Sequence, residues 1–515
     1  MGKSKKKQVK RNASAGGGST ANPGSGQSAG KSSTNSSMNS SGRQAAGQNN
    51  AHGAGGQQSA GAHGAGGSGG SQNKMAVMPM NRLLLTMSVP LMLSLLVQSL
   101  YNIVDSIFVS RYSEQALTAT SLVYAIQFLM IAVGVGTNVG LNSLLSRYVG
   151  AKKEEDACRA ATTGLILNIA SALVFSLVGI FFAKPIAGLM TSDAELKELC
   201  IQYMQVCVIF CYGTFIQTYG QRLLQAVGDT ILSMVSLISG AIINIILDPI
   251  MIFGLLGCPE MGIRGAAIAT VIGQCTGAVV ALVLNKTKNP VIHVHFKGYH
   301  FNMDDVKAIY RVGMPTIVMQ AIGSVMTFAV NAVLMSVSTT AVAFFGVYYK
   351  LQNFLMMPMN GLGQATIPVV GFNFGSDNKD RIRQAWKCVV PAGIVMALIG
   401  TVIFLIFPKQ LLGLFAASEE MLAIGVPALR IISLTFIFAT MTIIFGYFAS
   451  GLGNGVINMI GGAIRQLVVL VPLVWLFTNF FGISYTWYAM WISEVLAFLY
   501  SFVSIRKELK KKADF

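Results

Sequence analysis

From residue 83 to residue 505, mainly apolar stretches of about 20 residues or more recur, divided by short polar segments. That length is what a helix needs to cross the hydrocarbon core of a bilayer. Backbone groups in lipid must be paired within the protein, which leaves helices or a closed barrel. Barrel strands are about half as long and alternate in polarity, so the pattern is helical. The stretches lie near 84–109, 117–146, 160–182, 199–224, 231–255 and 264–285, then 306–336, 342–372, 386–407, 422–449, 456–479 and 485–505. Only 11% of the 515 residues are charged and 53% are hydrophobic, against about 25% charged in soluble domains. The expected fold is therefore all-α and integral to the membrane, with twelve transmembrane helices.

The segments between stretches alternate in charge. "RYVGAKKEEDACR", "NKTKNPVIHVHFKGYHFNMDDVKAIYR", "SDNKDRIRQAWK" and the terminal "RKELKKK" concentrate Lys and Arg, whereas "MSVSTT" and "NFFGISY" carry no charge. By the positive-inside rule both termini face the cytoplasm of a multi-pass plasma (inner) membrane protein. Residues 1–80 differ from the rest. They hold nine Lys and Arg, no acid and few large apolar side chains within Ser/Gly/Ala-rich sequence, so a disordered cytoplasmic tail is expected there. Its basic start lacks the apolar run of a signal peptide. Brushing anionic lipid suits it better than nucleic acid. The seven cysteines have no paired spacing and read as small core residues.

Laid over itself at one constant offset, the chain matches its own second half without gaps. Pro90 falls on Pro315, Gly136 on Gly361, Gly150 on Gly375, Gly188 on Gly413, Glu195 on Glu420 and Gly228 on Gly453. Six spans per half insert both halves in the same direction, giving parallel repeats of the kind built into secondary transporters. The layout is an N-lobe over 81–290, a solvated cytoplasmic linker over 291–305, a C-lobe over 306–505 and a basic C-terminus over 506–515.

Three acids stand within spans: Asp105, Asp248 and Glu494; Lys350 and Arg465 read as buried bases. A mid-helix charge costs about 2.5–3.5 kcal/mol on insertion scales, so all five should face protein or water. Asp105 and Asp248 have Val330 and Leu473 as repeat partners, making the chemistry asymmetric on a symmetric scaffold. In "NIILDP", Asn244 and Asp248 share one helix face. Pro249 lacks an amide hydrogen, frees the carbonyl of residue 245 and should bend the helix. Thr270, in the next span, can add a hydroxyl. Such oxygens suit Na⁺, and a desolvated carboxylate equally suits a proton; a hydrogen-bonded clamp between helices is the plainer alternative. Glu494 either meets substrate or balances Arg465. Lys350 either sets the field of a C-lobe cavity or belongs to a buried ion pair. Gln320 is the polar residue available in span seven.

Neither an ATP-binding "GxxxxGK[ST]" sequence nor a nucleophile–base set is present, so a non-enzymatic protein without an organic cofactor is expected. No repeated filter sequence supports a channel.

"YNIVDSIFVSRYSEQALTATS", "SRYVGAKKEEDA", "QRLLQAVGDT", "NIILDPIMIF", "MGIRGAAIATVIG", "GLGQATIPVVGFNFGSDNKDRIRQA" and "FASGLGNG" together resemble the multidrug and toxic compound extrusion (MATE) family over about 83–505. The resemblance implies a two-lobed, alternating-access antiporter that exports drugs or organic cations in exchange for Na⁺ or H⁺, without other cofactor. It further implies a small organic substrate, no nucleic acid and a monomer. The branch named for DinF carries an acid in span one and an Asn–Asp pair in span five. Asp105, Asn244 and Asp248 match these, and Thr270 matches a span-six threonine. A second branch has acids in spans seven and ten, absent here. A flippase for lipid-linked saccharides, of the same superclass, is the alternative; it should line its cavity with several buried Arg or Lys, for which Lys350 and Arg465 are the candidates.

Overall fold

The computed structural model describes residues 74–415 and 418–513. The expected disordered tail falls outside them except for its end, from Lys74 to Met80. That end is ordered: Lys74–Val77 is helical, and Met75 and Met80 are buried.

All twelve spans are helices. Nine described helices are long and apolar enough to cross a membrane: Met80–Tyr112, Glu114–Gly150, Glu154–Met190, Thr230–Phe253, Ile263–Lys288, Met303–Met335, Lys379–Ile406, Val456–Phe480 and Ile483–Lys512 (spans one, two, three, five, six, seven, nine, eleven and twelve). Spans four and ten are each broken in two, Ala194–Ile209 with Tyr212–Ala226 (41°) and Glu419–Ser433 with Phe436–Gly451 (50°). Span eight, Thr339–Gly375, has 37 residues and is long enough, but it carries Lys350, Gln352, Asn353, Asn360, Gln364 and Asn373. Its polarity is explained by the cavities it lines, described below.

These two breaks lie away from Pro249, the proline singled out in span five. Span five runs through Pro249 as one helix and ends at left-handed Gly254 (φ 70°). The breaks, at Phe210 and Thr435, are repeat partners of one another and contain no proline. Each frees carbonyls that a neighbouring span takes up: Ser176 donates to the Ile209 carbonyl (2.6 Å) and Thr401 to that of Ser433 (2.9 Å). Ser176 and Thr401 are repeat partners as well. A polar hydroxyl in an adjacent helix thus removes the cost of an open backbone in lipid.

The two halves meet at the face that carries Lys74 and Lys512. A Cβ on Gly150 would overlap the Phe372 carbonyl, and one on Gly375 would overlap that of Arg147. Phe372 and Arg147 are themselves repeat partners, so one contact occurs twice. Likewise Gly136 lies against Ile317 and Gly361 against Met92. Just beyond, Lys152 (φ 57°) and Asp377 (φ 52°) adopt the same left-handed turn. The repeat is therefore a pseudo-twofold axis between the lobes, and it closes one end of the molecule.

The segment expected to be a solvated linker is tied to that face at a few points, while most of its residues, His293, His295, Phe296, His300 and Phe301 among them, are exposed. Asn289 accepts from the amides of Val291 and Ile292, and Ile292 is buried. The Tyr299 hydroxyl meets that of Thr163 (3.0 Å). Asp305 is fully buried, accepting from Tyr148 (2.9 Å) and from the Arg159 Nε (2.8 Å). At the other side of the same face, Lys74 pairs with Asp229 (2.8 Å), and Arg381 donates to the Met75 and Met78 carbonyls (3.0 and 2.9 Å).

Candidate ion and substrate sites

Glycines set the first site. Spans five and six cross where a Cβ on Gly273 would come within 2.7 Å of the Gly240 carbonyl and 2.9 Å of the Asn244 Cβ. Only this approach lets Thr270 reach Asn244. The Asn244 amide donates to the Asp248 Oδ1 (3.1 Å) and lies 3.4 Å from the Thr270 hydroxyl. The Asp105 carboxyl, on span one, lies beside that of Asp248. Asp248 is fully buried, Asn244 is 2% exposed and Asp105 is half-buried.

Three oxygens of this cluster are buried and accept no hydrogen bond: Asp105 Oδ1, Asn244 Oδ1 and Asp248 Oδ2. Unpaired buried acceptors are costly. Three of them converging beside a hydroxyl, with two carboxyls side by side, form an arrangement that a hard cation or a shared proton would stabilise. The four residues foreseen as one cluster are brought together here. Their repeat partners are apolar: Val330 is buried, and Leu473 packs on the same C-lobe core; Val469 and Val495 complete the set.

Beside this cluster, between the lobes, lies a cavity of about 1120 Å³, with Asn244 and Thr270 in its wall. A second, of about 810 Å³, adjoins it and is lined mainly by the C-lobe, with Tyr124 and Phe128 of span two. The two share Met319, Gln320, Asn353, Asn360, Tyr447 and Asn458, so Gln320 stands at their junction. Arg465 and Glu494 line the second and pair with each other at 3.6 Å, their side chains 17% and 9% exposed. Glu494 thus does balance Arg465, though its Oε2 has no hydrogen-bond partner. Arg465 lies in a π-helical turn, Ile464–Val468, an irregularity found mostly at functional sites.

A MatE family model matches residues 90–250 and 315–476, together more than half of the chain. The two matches begin at Pro90 and Pro315, the first pair of the internal repeat. The chain belongs to the MatE family. It is 24% identical over 425 residues to the multidrug export protein MepA of Staphylococcus aureus, covering 82% of this chain and 92% of that one. MepA of Staphylococcus haemolyticus is 24% identical over 428 residues, covering 82% and 93%. Among solved structures, a MATE protein in complex with MaL6 superposes with a TM-score of 0.80 at 24% identity, covering 86% of this chain and 100% of that one. A MOP superfamily transporter from Pyrococcus furiosus gives 0.79 at 24%, covering 85% and 98%. The protein is a multi-pass membrane transporter with the twelve-helix, two-lobed MatE architecture.

Within this MatE scaffold Lys350 departs from expectation. It is exposed on the wall of the larger cavity, and it belongs to none of the ion pairs of the described residues. The helix turns it toward the space between lobes, where water can solvate an ammonium, so no buried partner is required. Arg222 is the base that the sequence conceals. It stands in "QRLLQAVGDT", outside the residues singled out from the sequence; it is 6% exposed and lines the same cavity. Its Nη1 donates to the Gln225 Oε1 (2.8 Å) and its Nε has no partner. The signal that could have found it is the repeat, which pairs Arg222 with Tyr447, a residue facing the same cavity.

Proposed function

We propose that this MatE protein is a secondary antiporter that exports drug-like organic molecules by alternating access, driven by Na⁺ or H⁺ held at Asp105, Asn244, Asp248 and Thr270. The carrying observation is the set of three buried, unpaired oxygens at Asp105, Asn244 and Asp248. A cation or proton there binds best while spans one, five and six stay together, and coupling requires only that this affinity differ between the two states. Asn244 and Thr270 border both the ion cluster and the larger cavity, so a rearrangement around the ion reaches the substrate wall directly. The relatives named as multidrug export proteins support the export of small organic molecules. With export outward, the face that carries Lys74 and Lys512 is cytoplasmic and the membrane is the plasma membrane. The protein works as a monomer, since one chain supplies both lobes.

Efflux from reconstituted vesicles, with Na⁺ and pH gradients imposed separately, tests this reading. Accumulation or release of substrate should follow one of the gradients. Flux indifferent to both would reject the antiporter.

A further inference from the structure

The larger cavity is unequal in charge. Arg222 and Lys350 line it, and no Asp or Glu does among the described residues. The rest of its polar wall is amide and hydroxyl, as at Gln98, Gln274, Asn353 and Gln364. The adjoining cavity contributes no net charge, because Arg465 and Glu494 neutralise each other. Asp105 and Asp248 lie beyond Asn244 and Thr270 and do not line either cavity.

Neither of the two cations has an acidic partner among the described residues. Lys350 stands three turns into its helix, about 16 Å along the axis. Arg222 is buried with an unpaired Nε. A buried guanidinium without a counter-charge is unfavourable by several kcal/mol in a low-dielectric setting. Apolar walls also concentrate the field of whichever sign of charge lines a cleft. An organic cation entering here meets two like charges; an anion meets two complementary ones. Apolar contact is available from Met319, Leu351, Phe354 and Met357 on the same wall.

Building on the export reading, we propose that the substrate class is amphipathic organic anions: an apolar body bearing a carboxylate, sulfonate or phosphate that pairs with Lys350, in the positive field to which Arg222 contributes. Organic cations, which the family resemblance implies, are the competing class.

Two xanthene dyes of opposite charge and similar shape, fluorescein and rhodamine 6G, separate the classes. Fluorescence anisotropy with the purified full-length protein should show saturable fluorescein binding that Lys350→Gln weakens roughly 10-fold or more, that Lys350→Arg retains, and that Lys350→Glu abolishes in favour of rhodamine 6G. Preference of the unmodified protein for rhodamine 6G, or fluorescein binding unchanged in Lys350→Gln, would overturn the proposal. Phosphatidylglycerol added to the micelles should leave fluorescein binding intact. Its displacement by the lipid would overturn a soluble anion as occupant and favour a lipid-borne phosphate. Gradient-driven flux of the same dyes is measured separately: charge-selective binding without coupled flux rejects export while leaving the ligand class standing, and coupled flux of rhodamine 6G alone does the reverse.

Discussion

Gly150 and Gly375, partners in the internal repeat, each press on the backbone of the other's helix, at the carbonyls of Phe372 and Arg147. The contact occurs twice about one axis, and it seals the lobes together at the face that carries Lys74 and Lys512. Alternating access requires that this seal open, so the fit at two glycines bears on the balance between states.

Gly150→Leu or Gly375→Leu forces side-chain volume against a backbone carbonyl, and overpacking of this kind costs about 1–3 kcal/mol. Each variant should unfold at lower temperature in detergent and lose gradient-driven efflux. Because the two residues share one interface, the double variant should be less destabilised than the sum of the singles. Thermal melts of the three variants check this.

Asp248→Asn and Asp105→Asn each remove one carboxylate while keeping its shape. Coupled efflux should fall within the range of a lost coupling energy, about 5–150-fold, with membrane insertion unchanged. Vesicle transport alongside quantification of inserted protein is the measurement. Coupled efflux preserved in both variants would remove the ion site from this cluster.

Removing one partner of the Arg465–Glu494 pair leaves a buried charge, at a cost of about 3–5 kcal/mol. Glu494→Ala or Arg465→Ala should therefore lower the melting temperature markedly. The double replacement Arg465→Met with Glu494→Gln should recover most of the loss. Equal melts for single and double variants would mean the pair is not coupled.

Asp305 accepts from Tyr148 and Arg159 while fully buried. Asp305→Ala leaves the Tyr148 hydroxyl without its acceptor, while Arg159 keeps Asp156 (2.6 Å), and should destabilise by about 1–3 kcal/mol. Asp305→Asn, which keeps one acceptor, should lose less. Chemical denaturation of the purified protein distinguishes the two.

Much of this molecule is written along the chain. Apolar length determines the number of spans, because lipid admits helices only when the whole backbone is paired within them. The constant offset that carries Pro90 onto Pro315 determines two like lobes. A carboxylate one turn from an amide in an oily helix announces a site, because its expense demands a reason. Those signals are local or periodic, and they survive without knowledge of which helix touches which. What the chain alone leaves undecided is whatever depends on facing. No proline announces the breaks at Phe210 and Thr435, where hydroxyls of Ser176 and Thr401 from other spans satisfy the opened backbone. Lys350 is exposed and Arg222 concealed because rotation about a helix axis and the space between lobes, not position along the chain, set the dielectric around a charge. The tertiary structure alone brings Asp105 of the first span to Asp248 of the fifth and leaves the larger cavity lined, among the described residues, by bases without acids.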